Sequence, residues 1–501
     1  MRNKIDYDVA IVGLGPVGAV MAGLLDLHGL LVVAVERAEQ IYDLPRAVHF
    51  DDEAMRVFQT LGIAQEVEAV SRSNAGMRFF DAEGRMLLDW PRPQVPGPQG
   101  WLPSYRFHQP DLERILRQKL ATSANVTLLQ ATECEGLEEQ SDCVRLSLRS
   151  GGAARAITAS AVIGCDGARS MVRAVIGGEA EDLGFNERWL VVDVLLKRDR
   201  PDLGDFTIQH CNPERPATYV RGPENRRRWE ISTKPGETDA WLEDPEMVWS
   251  FLSQWIGPED AELERKAVYT FHSTLAGCWR RGRLMIAGDA AHQTPPFLGQ
   301  GLCAGIRDAS NLAWKLAAWL RGAPDGLLDT YQSERHPHAR AYVQTAVRLG
   351  GLINTSGTKE ALRDGFRQPD GSVRMESLAR PIGAGLGKTD GLHRGWLSPQ
   401  PRLSDGVLFD ETAGNKFVLI AEQAICPPPP QHLKVLYADA EPALTQMLQA
   451  MNVRAVLIRP DRHIFGTATD ADTMQALLSE AAMLTEGMSK SVERMREPER
   501  T

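Results

Sequence analysis

Glycines 13, 15 and 18, followed by Glu36, form the first constellation in the sequence able to do chemistry. The spacing G-x-G-x-x-G permits a tight turn, lets the backbone approach a pyrophosphate and lets the next helix pack closely on a sheet. An acid about twenty residues on can accept hydrogen bonds from both ribose hydroxyls. Gly13, Gly15, Gly18 and Glu36 therefore predict a dinucleotide site, with NAD and FAD both open. Two further acids stand beside glycines after short apolar runs, Asp166 in Gly164-Cys165-Asp166-Gly167 and Asp289 in Gly288-Asp289-Ala290-Ala291-His292. Asp289, at the carboxyl end of a strand, is placed to hold a sugar hydroxyl. The segment Gly299-Gln300-Gly301-Leu302 opens a long helix whose N-terminus offers free amides and a partial positive charge, suited to an anionic group of a cofactor. The competing reading of Asp166 and Asp289 is that of turn acids after strands.

The elements that must position these residues are legible in the pattern. A strand over Tyr7–Val12, a helix from Pro16 to His28 ended by Gly29, and a strand over Leu31–Glu36 make a βαβ unit. An amphipathic helix follows over Glu53–Leu61 and another over Asp111–Leu120, with strands and Pro/Gly loops between residues 74 and 105. Residues 189–271 alternate short strands with one helix near Asp244–Trp255, a mostly β segment set between two halves of an α/β domain. Gly299–Leu320 is a long helix. His336 and His338 flank Pro337 in what reads as a helix break. Beyond residue 395, strands at Phe417–Ile420, Leu433–Tyr437 and Val453–Ile458 with helices at Pro442–Met451 and Ala471–Met483 predict a separate α/β module, and the charged tail after Gly487 reads as frayed.

Composition narrows the function classes. The chain has 501 residues, 43% hydrophobic and 24% charged, with a net charge of −10, which opposes binding to nucleic acid. The seven cysteines are scattered and form no CxxC pair, so neither a disulfide framework, nor a zinc site, nor any other metal is expected, and reduced thiols in the cytoplasm are. The uncharged stretch from Val9 to Leu25 carries too many glycines and too few apolar residues for a membrane span.

With the three motifs in this order over roughly residues 5–390, the chain resembles the FAD-dependent aromatic hydroxylases, single-component flavoprotein monooxygenases. Pro45-Arg46-Ala47, Asp51-Asp52-Glu53, Phe107-His108-Gln109-Pro110, Cys211-Asn212-Pro213 and Pro295-Pro296-Phe297-Leu298-Gly299-Gln300-Gly301 are similar to the 3-(3-hydroxyphenyl)propionate hydroxylase branch. The resemblance implies a Rossmann-like FAD domain (1–185 and 275–390), an inserted β-rich substrate domain (186–274, with contributions from 72–106) and a thioredoxin-like domain without CxxC (395–490). It implies that Arg37, Arg46, Gln109, Asp166, Asp289, Pro296, Gly299, Gly301 and Leu302 join the glycine turn and Glu36 in holding FAD. NADH or NADPH would visit without a fold of its own, O2 would add to the reduced flavin, and the resulting C4a-hydroperoxyflavin would hydroxylate a small phenolic ring. A homodimer is the family's expectation.

A phenol hydroxylase gains from a group that removes the phenolic proton. His49 is the first candidate because imidazole titrates near neutrality, with a structural histidine as its competing reading. Asp51 is the second, with a helix N-cap as its competitor. Tyr219 and Gln209 are candidate pocket walls, Pro295 a neighbour of the substrate, and Arg221 a partner for a substrate carboxylate, although the run Arg226-Arg227-Arg228 reads as surface charge. His292 is expected to fix the loop near FAD. A hydroxypyridine or quinolone oxygenase on the same fold is the alternative activity. A flavin-binding protein without turnover is the alternative class, and the WxWxIP segment of halogenases is absent.

Overall fold

The computed structural model describes residues 5–354, 364, 367, 371, 379–387, 391, 393–428 and 433–489. The tail from residue 490 on lies outside the described residues.

Strand Tyr7–Val12 pairs in parallel with Val32–Val35 on one side and with Ala153–Gly164 on the other. Val9, Ala10 and Ile11 are fully buried, as a strand covered on both faces must be. The chain leaves it through Gly13 at φ +97°, and helix Pro16–Leu27 starts on a proline whose missing amide costs nothing at that position. Parallel strands Val126–Leu129 and Leu284–Ile286 extend the sheet outward, and Thr132–Glu139 and Val144–Ser150 add an antiparallel ribbon. Helix Gly301–Leu320 crosses helix Pro16–Leu27 where a Cβ on Gly305 would come within 2.5 Å of Val17. This crossing brings the two helix N-termini and the Gly-Asp segment to one edge of the sheet.

The second eight-stranded sheet runs in the order His292–Gln293, Ala261–Ala276, Ala180–Leu196, Arg226–Ser232, Ala217–Arg221, Thr207–Cys211, Gly76–Asp81, Met86–Pro91. Its only parallel pair among the described residues joins Thr207–Cys211 to Gly76–Asp81. Its first strand is the continuation of the Gly-Asp segment, so that segment runs directly from the first sheet into the second. A three-stranded sheet sets His49–Asp51 against Ser104–Arg106, with His49 opposite Arg106.

A four-stranded sheet in the order Lys434–Tyr437, Val418–Ala421, Ala455–Ile458, Ile464–Ala468 carries helices Pro442–Ala450 and Ala471–Ser489. It is not an independent appendage: Trp314 of helix Gly301–Leu320 packs edge-on against Phe417 at 5.4 Å and belongs to the same core as Leu419 and Phe465.

Two expectations fail here. Pro337 does not break a helix but lies inside Gly326–Asn354. Residues 379–387 press on this point, with the Gly383 amide donating to the Glu334 carbonyl at 2.8 Å and no room for a Cβ at Gly383. External pairing of this kind offsets the cost of an internal proline. Of the run expected at the surface, Arg227 and Arg228 are buried.

Candidate active site

A Cβ on Gly13 would meet the Cys165 carbonyl oxygen at 2.4 Å, and one on Gly18 would meet that of Gly13 at 2.0 Å. A Cβ on Gly15 meets nothing within 4 Å. The two outer glycines thus serve packing, and the middle one faces the open space a pyrophosphate requires. Glu36 is fixed beside the turn, accepting from the Leu14 amide at 2.8 Å and the Ala38 amide at 2.9 Å, while Arg37 is exposed. Arg117 was not singled out by sequence reading. Its Nη2 donates to the Leu14 carbonyl at 3.2 Å and lies 3.8 Å from Glu113, while its Nε and Nη1 are buried without a hydrogen-bond partner and so remain open to a phosphate oxygen. Residues 113 and 117 form an i,i+4 row beside the apolar row 112, 116 and 120, which is the signal that could have found it.

Asp166 lies against the Gly13 backbone. Its Oδ2 accepts from the Met171 and Val172 amides at 2.7 and 3.3 Å, the work of a helix cap, and its Oδ1 is buried with no partner. Asp289 is exposed in the cleft, yet the protein crowded around its carboxyl pushes its pKa up against the opposing charges of His292 and Arg46. Gln109 accepts from the Arg46 and Ala47 amides at 3.1 and 2.8 Å, so it holds the chain of residues 46–47 in place, and the exposed Arg46 guanidinium lies over Tyr42. Gly299 is left-handed (φ +63°) and ends the turn Pro296–Leu298. Beyond it Gly301 and Leu302 begin their helix with amides that have no intrahelical acceptor. A dinucleotide turn with room at Gly15, a half-buried arginine beside it with two uncommitted nitrogens, and an open carboxylate together with the free amides at a helix N-terminus fit FAD.

His292 Nε2 bonds Asp308 Oδ2 at 2.6 Å, and Asp308 also accepts from the Gly288 amide at 3.0 Å and from Arg335 Nε at 2.9 Å. Asp308, buried and invisible to motif reading, ties the Gly-Asp segment to the long helix. His338 Nε2 donates to the Arg380 carbonyl at 3.1 Å and its other nitrogen meets Arg335, so both of its ring nitrogens hold structure.

Between turn Pro296–Leu298 and the second eight-stranded sheet lies a pocket. Thr207 and Gln209 enter it from one strand, Thr218 and Val220 from the next, and Glu230 from a third. His49, Asn74, Arg92 and Arg106 close the opposite wall.

Residues 6–346 match the model of a family described as FAD binding domain. A probable NADH-specific resorcinol 4-hydroxylase of Rhodococcus jostii (strain RHA1) is 36% identical over 94% of this chain and 94% of its own length. The chain belongs to the FAD-dependent aromatic hydroxylases. A 3-(3-hydroxy-phenyl)propionate/3-hydroxycinnamic acid hydroxylase of Burkholderia cenocepacia (strain HI2424) is 35% identical over 94% of this chain and 96% of its own. The flavin-dependent monooxygenase PieE, solved with FAD and substrate, superposes with a TM-score of 0.80 at 22% identity, covering 97% of this chain and all of that one, which shows a shared fold. This hydroxylase is thus an FAD-dependent monooxygenase of aromatic rings that uses NAD(P)H and O2. No helix among the described residues is long and apolar enough to cross a membrane.

The hydroxylase's geometry sorts the expected substrate-side residues. Gln209 is in the pocket, and Pro295 is buried directly before its lining residue Pro296. Tyr219 and Arg221 are not in it. They alternate with Thr218 and Val220 and so point out of the other sheet face, Tyr219 against Trp229 at 5.1 Å and Arg221 to Asp205 at 2.8 Å. Arg228, read as surface charge, clamps Asp193 at 2.7 and 3.0 Å and the carbonyls of Pro45 and Arg46, holding the segment that leads to His49. His49 lines the pocket, but both its ring nitrogens are engaged. Nδ1–H donates to the Gly299 carbonyl at 3.1 Å, and Nε2 therefore accepts from the Ser104 hydroxyl at 2.7 Å, whose oxygen takes the Asn74 amide at 2.8 Å. Burial, reinforced by Arg106, pushes its pKa down to about 3, so His49 stays neutral and braces the loop at Gly299. Asp51 caps helix Asp52–Thr60 through the Ala54 amide and meets Arg307 at 2.6 Å, so its oxygens are committed as well. Neither is a free base.

Asp52 differs. Burial, together with the charges of Asp51 and Glu53 and against that of Arg307, pushes its pKa up to about 8. A raised carboxyl pKa favours folding fully below the ordinary carboxylate range, and that contribution is lost as pH rises through about 8. Asp52→Asn should therefore gain thermal stability over the parent progressively from pH 5 to pH 9, by roughly 2–6 °C at the alkaline end, read by differential scanning fluorimetry. A pH-independent difference would show that Asp52 is ionised in the fold.

Proposed function

We propose that this hydroxylase acts on a small phenol carrying a second group meta to its hydroxyl, of the 3-(3-hydroxyphenyl)propionate kind, with NADH as reductant. The observation that carries this reading is the pair of guanidiniums in the pocket wall. Arg106 is buried, Arg92 lies 3.9 Å over the Trp90 ring, and a site with two cations suits a ring that brings a carboxylate as well as a phenolic oxygen. The two full-length relatives, named for resorcinol and for 3-(3-hydroxyphenyl)propionate, act on rings of this 1,3 pattern.

Gly15, Glu36, Arg117 and the amides at 301–302 would hold FAD, with Asp289 taking a hydroxyl of its ribityl chain and Asp166 and Gln109 shaping the walls. Bound there, FAD supplies hydride acceptance from NADH and activation of O2. The protein's own part is to present the ring beside turn Pro296–Leu298, to exclude water with Phe297 and Leu298, and to hold the phenolic oxygen in a positive field.

Stopped-flow reduction of the holoenzyme by NADH and by NADPH, with resorcinol, 3-(3-hydroxyphenyl)propionate, a hydroxypyridine and a quinolone, tests this. The propionate should accelerate flavin bleaching at least ten-fold and yield hydroxylated product, with a lower KM than resorcinol. Preference for resorcinol would remove the carboxylate from Arg92, and response only to an N-heterocycle would overturn the phenol assignment. We read the module at 395–490 as thioredoxin-like, supported by its strand order, and its one cysteine, Cys426, leaves it without a CxxC pair. The homodimer and the cytoplasmic location belong to the same proposal, and light scattering checks the first.

A further inference from the structure

Strand pairing sets Gln209 opposite Thr218 and Thr218 opposite Glu230, so three polar side chains stand in a row on the pocket face of the substrate sheet. Thr218 donates its hydroxyl proton to Gln209 Oε1 at 2.6 Å and so has none for Glu230. Among the described residues the Glu230 carboxylate accepts no hydrogen bond. The one cation at ion-pair distance is Arg228, whose Nη1 is 3.8 Å away and whose guanidinium is already shared by Asp193 and two backbone carbonyls. On the facing wall Arg106 donates to the Thr207 hydroxyl, and neither it nor Arg92 enters an ion pair among the described residues. The pocket thus contains a carboxylate that accepts no hydrogen bond and, facing it, two guanidiniums in ion-pair contact with no acid among the described residues, beside the turn that leads into the helix N-terminus of the FAD site. His49, Asp51 and Tyr219 cannot fill the same role for the reasons already given.

We propose that Glu230 takes the phenolic proton of the substrate and that Arg106 holds the phenolate so formed. The inference rests on the phenol reading above. The O–H bond of the phenol breaks, its electron pair stays on oxygen, and the proton passes to a Glu230 carboxylate oxygen, so charge is conserved within the pocket. The ring carbons ortho and para to that oxygen become more nucleophilic, and the proton leaves Glu230 for solvent when product is released. In water a phenol, with a pKa of about 10, yields its proton to a carboxylate poorly. Two features narrow the gap. Burial raises the affinity of Glu230 for a proton, aided by Asp193 on strand Ala180–Leu196 and opposed by Arg228 on its own strand, Arg106 on Ser104–Arg106 and Arg265 on Ala261–Ala276. The Arg106 and Arg92 charges in turn lower the cost of the phenolate.

The test is an equilibrium titration of the oxidised holoenzyme with resorcinol from pH 6 to pH 10, read by the near-ultraviolet band of the phenolate, in wild type and Glu230→Gln. In wild type the bound phenol should ionise at least one pH unit below its value in solution. In E230Q, with an unaltered flavin spectrum, the bound phenol should ionise no lower than it does in solution. Hydroxylated product should then fall roughly 10²–10⁴-fold and recover as pH approaches that of free phenol ionisation. A coupled E230Q enzyme with the parental pH profile overturns the proposal, and so does a wild type in which bound phenol keeps its solution pKa, a measurement that stands even if the variant does not fold. If no phenol stimulates the wild type in the preceding experiment, the phenol reading fails and this proposal falls with it.

Discussion

Gly15→Val should give a colourless protein that is otherwise folded. The argument is the contrast within one motif. At Gly18 an added Cβ would lie 2.0 Å from a backbone oxygen and at Gly13 2.4 Å from another, so substitution there breaks the packing of the turn itself. At Gly15 nothing stands within 4 Å, and the residue has ordinary extended geometry (φ −70°, ψ −174°) that valine adopts without strain. The side chain would instead occupy the space left for the pyrophosphate and keep it from the amides of helix Pro16–Leu27. We expect far-ultraviolet circular dichroism like that of the parent, an FAD Kd raised at least 100-fold by fluorescence titration, and a loss of thermal stabilisation by added FAD. Gly18→Val should lose both flavin and fold. A yellow, tightly binding Gly15→Val protein would place the pyrophosphate elsewhere and undo the assignment of this cleft.

The same contrast explains how much the sequence could disclose. The glycine turn, the Gly-Asp segment and the long helix are local: strand, turn and helix residues follow one another, so motif and context lie in one stretch of chain. The pocket is not local. Strand Ala217–Arg221 is buried at every position from Ala217 to Val220, because the pocket covers one face and Trp229 with its neighbours covers the other. With both faces buried there is no polar alternation to tell them apart, and choosing Tyr219 rather than Thr218 is a one-residue error that turns a side chain to the opposite face. Glu230 and Arg228 were hidden for a related reason. In Arg226-Arg227-Arg228-Trp229-Glu230 the charges look like solvated surface, and only the sheet's other strands supply Asp193 and the carbonyls that let Arg228 be buried. Asp308 and Arg117 sit in helices whose apolar rows are clear, but the acceptors and orphaned nitrogens that give them meaning come from segments far away in the chain.

Glu334→Ala should be the most destabilising single change outside the cofactor site. Glu334 lies on helix Gly326–Asn354 just before Pro337 and is buried with Lys315, Arg459 and Asp461. Its oxygens receive Arg459 at 2.8 Å twice, Lys315 at 2.6 Å, Asn311 at 2.9 Å and the Leu386 amide at 3.0 Å, while Asp461 holds the other side of Arg459 at 3.0 and 2.6 Å. Two acids thus balance two cations at the place where the long helix, the proline-containing helix, residues 379–387 and the C-terminal module meet. Removing Glu334 leaves Lys315 and Arg459 buried with one acid between them, and breaking a buried pair from one side costs about 3–5 kcal/mol because desolvation is no longer offset. A fall in Tm of roughly 5–15 °C follows, with release of flavin fluorescence moving down in parallel, since helix Gly301–Leu320 presents its N-terminus to FAD and Lys315 to this network. The acid range supplies an independent sign. Arg459 and Lys315 hold the Glu334 carboxyl well below the ordinary carboxylate range, so its contribution is present above that range and is lost only as pH falls through the depressed value. Lys315 is different: burial pushes its pKa down to about 8 against the charge of Glu334, so without Glu334 it sheds its proton at lower pH, and the deficit of Glu334→Ala should shrink from pH 6 towards pH 8 and then level off. A variant whose module at 395–489 melts separately, with the flavin retained at the parental temperature, would show that the network anchors the module without supporting the flavin helix.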